Sequence, residues 1–278
     1  MQGLEELRAA LAERFGEDFC VDLPPGAADR LAGLAAHRVT RAFTDDPLDP
    51  TLVRLLCACA LSAPSKSDLQ QRDIVIVSDP GLRARIADLV PGLPWLRRAP
   101  GMAVFCINGR RLPQIAEWRG KPFPNDHFDL LFNGIGDAAI ALAWFQAALA
   151  MAGLGGCPVS EIRNHAEAVS EWLGLPDKVV PYAGFCFGRP AEAGAVTPRL
   201  PLDVTVHENR FSEENLEERI AAHDARREAL RPYSRQRGTR RFGTADGYGW
   251  SEDKARQYAE PLRGAFGDFV RGKGFRLD

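Results

Sequence analysis

The sequence predicts one domain of mixed helix and strand with a wrapping C-terminal tail, and three observations lead there. Apolar runs of strand length, bounded by turn residues, recur at 74–77, 101–107 and 179–188. Longer stretches with apolar residues at helical spacing lie between them. No internal repeat, and no linker rich in Gly, Ser or Pro, divides the 278 residues.

Taken in order, Leu4, Leu7, Leu11 and Phe15 are spaced for a short amphipathic helix over 4–15. Pro24-Pro25-Gly26 breaks the chain, and 28–36 reads as a second helix with Leu31, Leu34 and Ala35 toward a core. Asp49-Pro50 places an N-cap acceptor and a proline suited to the first turn ahead of Leu52, Leu55, Leu56, Cys59 and Ala60. That helix stops at Ala63-Pro64. The polar loop 65–71, with two serines, one lysine and two glutamines, then suits hydrogen bonding to a polar ring system.

A helix over 80–89 and the strand at 101–107 follow, with irregular chain at 91–100. Prolines 113, 122 and 124 leave room for no more than a loop and a short helix at 108–129. From 128 to 153 the chain is nearly all apolar, interrupted by Asp137 and Gln146. A bilayer span needs roughly 20 consecutive apolar residues. The segment is therefore read as a core or subunit-interface helix, its alanines allowing close contact with a second chain. Gly153, Gly155 and Gly156 read as a turn whose main-chain amides face a ligand. They leave a helix instead of opening one, so the dinucleotide fingerprint is rejected. Asn164 and Glu167 form an expected capping box for a helix through Val169 and Trp172, closed by Gly174. In the tail a charged helix is expected over 213–230 and a last helix over 251–271.

Composition narrows the function classes. At 45% hydrophobic and 26% charged residues, with net charge −2, the chain reads as a globular protein, expected in the cytoplasm, with no call for nucleic acid or an anionic membrane. Its six cysteines are scattered, mostly among apolar residues, and no Cys-x-x-Cys pair occurs, so buried reduced thiols are expected and no metal site. Acids in the first eight residues argue against a secretory signal.

Candidate binding residues begin at His37-Arg38-Val39-Thr40-Arg41-Ala42-Phe43, where a histidine and two arginines fall between a helix and a turn and can converge on an anion. Residues 226–241 carry seven arginines against the single acid Glu228. The combination of His37-Arg38-x-x-Arg41-x-Phe43, Ala63-Pro64-Ser65 through Leu69-Gln70, and Gly153-Leu154-Gly155-Gly156 followed by Arg163-Asn164 resembles the nitroreductase-like flavoproteins. Leu173-Gly174-Leu175-Pro176, Gly184-Phe185-Cys186-Phe187-Gly188-x-Pro190, Pro198-Arg199-Leu200-Pro201 and Val206-His207-Glu208-Asn209 are similar to the oxygen-insensitive NADPH nitroreductase and flavin reductase branch. The similarity runs from about Leu31 to the C-terminus, leaving 1–30 as an N-terminal helical extension and 31–278 as the FMN-binding domain with its tail.

The resemblance implies an α+β fold with an antiparallel-dominated central sheet flanked by helices, in an intertwined homodimer that binds FMN at the subunit interface. It implies that His37, Arg38, Val39 and Arg41, with Arg199, hold the FMN phosphate and ribityl chain. Ser65, Lys66, Ser67 and Gln70 are expected at the isoalloxazine, and Pro158, Val159, Ser160 and Glu161 along the ring near N5. At this last stretch the sequence departs from the NADPH-preferring branch, which has an aromatic residue and paired glycines there. Arg237, Arg240 and Arg241 are expected to clamp the 2′-phosphate of NADPH, the electron donor alongside or instead of NADH. No side-chain nucleophile is expected, because the flavin carries the chemistry. The acceptor implied is a small nitroaromatic, quinone or free flavin; a non-catalytic flavin-binding protein is the alternative outside enzymes.

Overall fold

A computed structural model describes residues 2–278. In chain order its elements are α1 (Gln2–Phe15), α2 (Ala27–Ala35), α3 (Pro50–Leu61), β1 (Arg72–Ile76), α4 (Pro80–Asp88), β2 (Gly101–Asn108), α5 (Arg111–Trp118) and α6 (Phe128–Met151). They continue as β3 (Gly155–Val159), α7 (Ala166–Trp172), β4 (Val179–Gly188), α8 (Leu202–Thr205), α9 (Leu216–Leu230), α10 (Thr239–Phe242), α11 (Trp250–Tyr258) and α12 (Phe266–Gly272). The chain divides into two compact units, residues 2–38 with Ala195–Leu262, and Val39–Gly194 with Arg263–Asp278. The expected boundary after residue 30 falls inside the first of these.

The second unit is built on an antiparallel sheet of order β1-β2-β4-β3. Central β2 is buried along its whole length, and its alternation sorts side chains to two layers. Val104 and Cys106 join Ile86, Val90, Ile162 and Val169 on one face, while Ala103 and Phe105 join Leu56, Ala141, Phe145 and Phe187 on the other. Phe145 of α6 is the hub of the second layer, meeting Phe105, Phe185 and Phe187 edge-on at 5.2–5.5 Å between ring centres. Such edge-to-face pairs add to burial because ring edges and faces carry opposite partial charge.

Helix α6 is long and apolar enough, by length and composition, to cross a membrane. One side of it is spent inside this unit, however: Leu131, Gly134, Ala138, Ala141, Phe145 and Leu149 are buried. A methyl at Gly134 would lie 2.6 Å from Ile107 Cγ2, so the missing side chain is what lets α6 lie this close to β2. Asp49 caps α3 as expected, accepting from Thr51 N at 2.8 Å.

In the first unit α1 packs on α2 and α9 on α11. Buried His223 of α9 lies edge-on to Trp250 of α11 at 5.7 Å, and Asp224 accepts from Ser251 N at 3.0 Å.

Five expectations change, and the first is that Leu31 and Leu34 of α2, expected toward a core, are exposed. Residues 155–159 form edge strand β3 instead of a ligand-facing turn. Its glycines serve packing: a methyl on Gly155 would strike Thr40 Oγ1 and one on Gly156 would strike Phe185. The expected capping box is absent, because a 3₁₀ turn over Ser160–His165 takes in Asn164 and α7 starts only at Ala166, without a side-chain cap. The expected last helix is two, since Pro261 ends α11's run and Arg263 takes a left-handed φ of 58° before α12. Cys20 and Cys59 are exposed, whereas Cys106, Cys157 and Cys186 are buried as expected.

Candidate functional site

The loop at 65–71 in the second unit is tightly specified, and a residue outside it organises it. Asp137, only 1% exposed on α6, accepts from Ser65 Oγ at 2.8 Å, Lys66 N at 3.0 Å and Gln71 N at 2.8 Å. Ser65 Oγ in turn accepts from Gln70 N at 2.7 Å. The buried Arg72 guanidinium stands 3.5 Å from the Asp137 carboxylate and donates to the carbonyls of Leu61, Ala63 and Pro64 at 3.0, 2.7 and 3.1 Å. A buried ion pair with this many additional hydrogen bonds meets the condition under which its desolvation is offset.

Within this frame Ser67, Asp68 and Gln70 hold left-handed φ values of 48°, 57° and 51°. Three non-glycine residues rarely take that conformation within four positions, and such outliers collect where a ligand is gripped. The Lys66 ammonium and Ser67 hydroxyl are exposed and have no hydrogen-bond partner among the described residues. The loop thus satisfies its own backbone and leaves a cation and a hydroxyl for something else.

The segment after Arg38 lies against the edge of the sheet. Thr40 N donates to Gly156 O at 3.0 Å, Thr44 N to Arg189 O at 3.0 Å, and Phe43 bridges Pro190. Arg41 is exposed and its charge lies near the Cys157 thiol, whose pKa burial nonetheless raises. Val39 is 37% exposed. Along β3 and the turn beyond it, Val159 is buried in the core, so only its main chain could meet a ligand, and Pro158 has no N–H to offer. Ser160 and Glu161 are exposed, and Ser160 O accepts from Arg263 Nη1 at 3.3 Å.

His37, Arg38 and Arg199 fall in the first unit. The His37 pKa is pulled below its ordinary value, first by burial and then by the charges of Arg14, Arg199 and Arg38. Cations gathered around a neutral imidazole form a concentrated positive potential, the chemistry a phosphate dianion requires.

In the tail, Arg237, Arg240 and Arg241 flank a turn held by its own contacts. Arg237 N donates to Tyr248 Oη at 2.8 Å, Tyr248 donates to Asp253 at 2.8 Å, and buried Arg256 donates to the carbonyls of Arg237 and Gly243. The Arg237 side chain stands 3.6 Å from Asp253, and Arg241 pairs with Glu260 at 3.1 Å. Arg240 makes no hydrogen bond or ion pair among the described residues.

The structure therefore sorts the expected site residues into separate groups: His37, Arg38 and Arg199; Val39 and Arg41 at the sheet edge by Cys157; Pro158, Val159, Ser160 and Glu161 at the end of β3; Ser65, Lys66, Ser67 and Gln70 on Asp137; and Arg237, Arg240 and Arg241. Sequence reasoning missed Asp137 and Arg72. The available signal was an acid in the apolar middle of a helix, which needs a buried partner. The donor set fits FMN: cations suited to its phosphate, and a rigid loop offering a cation and hydroxyl suited to a polar ring.

Comparison with known proteins agrees with this donor chemistry. Residues 34–189 match the nitroreductase family and residues 197–278 match the nitroreductase family C-terminal domain. An FMN reductase [NAD(P)H] of Bacillus subtilis is 27% identical over 253 residues, covering 89% of this chain and 98% of the relative. An oxygen-insensitive NADPH nitroreductase of Salmonella typhimurium is 34% identical over 192 residues, 68% of this chain and 76% of the relative. Among solved structures, an NADPH:FMN oxidoreductase from Vibrio harveyi complexed with NAD+ superposes with a TM-score of 0.76 at 29% identity, over 88% of this chain and 97% of that one. On sequence and fold together, the chain belongs to the nitroreductase family.

Proposed function

We propose that this chain is an FMN-dependent NAD(P)H oxidoreductase that passes electrons in pairs, by a ping-pong cycle, to nitroaromatics, quinones or related small acceptors. The observation that carries the reading is the 65–71 loop, locked from below by Asp137 with Lys66 and Ser67 left exposed. The relatives' names, an FMN reductase, an NADPH nitroreductase and an NADPH:FMN oxidoreductase, support it.

Bound FMN supplies the hydride chemistry. The protein's part is to hold and tune it. His37, Arg38, Arg41 and Arg199 grip the phosphate and ribityl end, where guanidinium forks match phosphate oxygens. The Lys66 ammonium favours negative charge on the pyrimidine edge and so raises the reduction potential. Ser65 and Gln70 keep the loop closed, and residues 158–161 line the ring with the main-chain amides of Val159, Ser160 and Glu161. Arg237, Arg240 and Arg241 select NADPH by its 2′-phosphate.

A second copy of the chain completes the enzyme. On α6, Phe132, Gly136, Ile140 and Trp144 recur every four residues on a face left exposed, with Met151 beyond. Small and apolar residues in this register suit close helix contact in a homodimer.

Purified protein should be yellow, with flavin absorption that NADPH bleaches anaerobically without added acceptor. Colourless protein that FMN fails to reconstitute would refute the assignment. Flavin that neither NADPH nor NADH reduces would mark a binding protein. Because two of the relatives named are flavin reductases, a dedicated flavin reductase is the second reading; stopped-flow reoxidation by free FMN, quinones and nitroaromatics separates the two.

A further inference from the structure

The N-terminal extension lies outside both family matches, over 34–189 and 197–278, yet it carries a buried arginine that ties two segments of the first unit together. Arg14, near the end of α1, is 6% exposed. Its guanidinium donates to three carbonyls from two other segments: Ala35 and His37, at the end of α2, and Thr197, at 3.4 Å, two residues before Arg199. The Arg14 carbonyl in turn accepts from Arg199 N at 2.7 Å.

Arg226 of α9 closes the knot from the other side. It donates to the carbonyls of Glu13, Arg14 and Arg199 at 3.1, 2.7 and 3.0 Å. Gly16, at φ 77°, ends α1 and makes room for it, since a methyl there would lie 3.2 Å from Arg226 Cδ. Both segments that carry the expected phosphate cations thus hang on Arg14: His37 through its own carbonyl, and Arg199 through its amide and the carbonyl of Thr197.

We propose that Arg14 is a positioning residue for the flavin phosphate, setting the spacing between the His37-Arg38 segment and Arg199 so that their cations meet one dianion. The inference rests on the reading of these residues as FMN phosphate ligands. A planar guanidinium with five N–H donors reaches three divergent carbonyls at once; an ammonium keeps the charge and loses that geometry. The extension is therefore part of the cofactor site, and it sharpens discrimination between phosphorylated and unphosphorylated flavin.

The test titrates apoprotein with FMN and with riboflavin, which lacks the phosphate, following flavin fluorescence, for wild type, Arg14→Met and Arg14→Lys. Both ligands sample the same folded fraction, so their affinity ratio is insensitive to partial unfolding. The expected result is a fall of about tenfold in that ratio for both variants, from weaker FMN binding at nearly constant riboflavin binding. Equal losses for the two ligands, no loss, a lysine variant that restores the wild-type ratio, or two variants that both fail to fold would each overturn the positioning role. Wild-type protein that binds no FMN would instead overturn the underlying assignment, and the two failures are thereby distinguished.

Discussion

The loop at 65–71 and the arginine turn at 237–241 are both expected to bind parts of nucleotides, and they differ in how firmly their binding groups are held. The loop is anchored on a buried carboxylate, pays for three left-handed residues, and commits its backbone donors to Asp137 and Ser65. In the turn, Tyr248 and buried Arg256 hold the main chain, but the arginine side chains point outward: Arg237 is half exposed beside the buried Asp253, Arg241 pairs at the surface with Glu260, and Arg240 stays uncommitted. Rigid, prepaid geometry suits a group that remains bound through many turnovers. Exposed arginines in weak, screened pairs suit a group that must arrive and leave in every cycle. On the proposed assignment, the two regions would hold a resident and a visiting cofactor respectively.

The strongest way to break that contrast is Asp137→Ala. It strands the buried Arg72 charge and releases the loop, so about 3–5 kcal/mol of stability should be lost together with FMN retention. Urea unfolding and the flavin-to-protein absorbance ratio check both, and a variant that keeps FMN at wild-type affinity would show that the loop does not depend on Asp137. Next in size, Arg41→Ala should speed FMN dissociation by about tenfold while turnover of the loaded fraction stays within about twofold. The opposite pattern would move Arg41 from the cofactor tail to the chemistry.

Arg240→Ala should raise KM for NADPH about fivefold, equivalent to about 1 kcal/mol, and leave KM for NADH unchanged. Arg237→Ala and Arg241→Ala should do less, because each already has a carboxylate partner; equal effects on the two nucleotides would remove the 2′-phosphate role.

The smallest expected effect concerns acid, and it tests whether the half-buried phosphate cluster belongs with the rigid region. Burial, as the largest cause, lowers the pKa of both His37 and His223. Each binds a proton more readily in the unfolded chain, whose histidine pKa is about 6.5, so their contribution to stability is complete above that pH and is lost as pH falls below it. The urea midpoint of apoprotein should drop between about pH 7.5 and 5.5, and His37→Gln should flatten the drop. A midpoint constant across that window would mean His37 is solvated and mobile, like the arginine turn.

Much of the fold is legible in the sequence. Helix α3, with Asp49 and Pro50 at its start, and β4, with its apolar run bounded at Gly188, rest on local rules, because caps and side-chain periodicity act over a few residues. The errors also have one source. Gly155 and Gly156 carry no side chains, so their sequence is as consistent with a loop as with an edge strand, and only Thr40 and Phe185, distant in sequence, decide between them. Asn164 and Glu167 match a capping box, but chain geometry after β3 closes a 3₁₀ turn first.

The sequence by itself determined the types of most elements, the family, and the basic and hydroxyl residues proposed to meet a flavin, since these depend on residue chemistry and short spacings. Tertiary structure decided which groups hold those residues in place. Asp137 lies 66 residues from Gln71 and Arg14 lies 183 from Thr197, separations over which no local pattern carries information. A buried charge declares its partner only once folding has excluded water from around it.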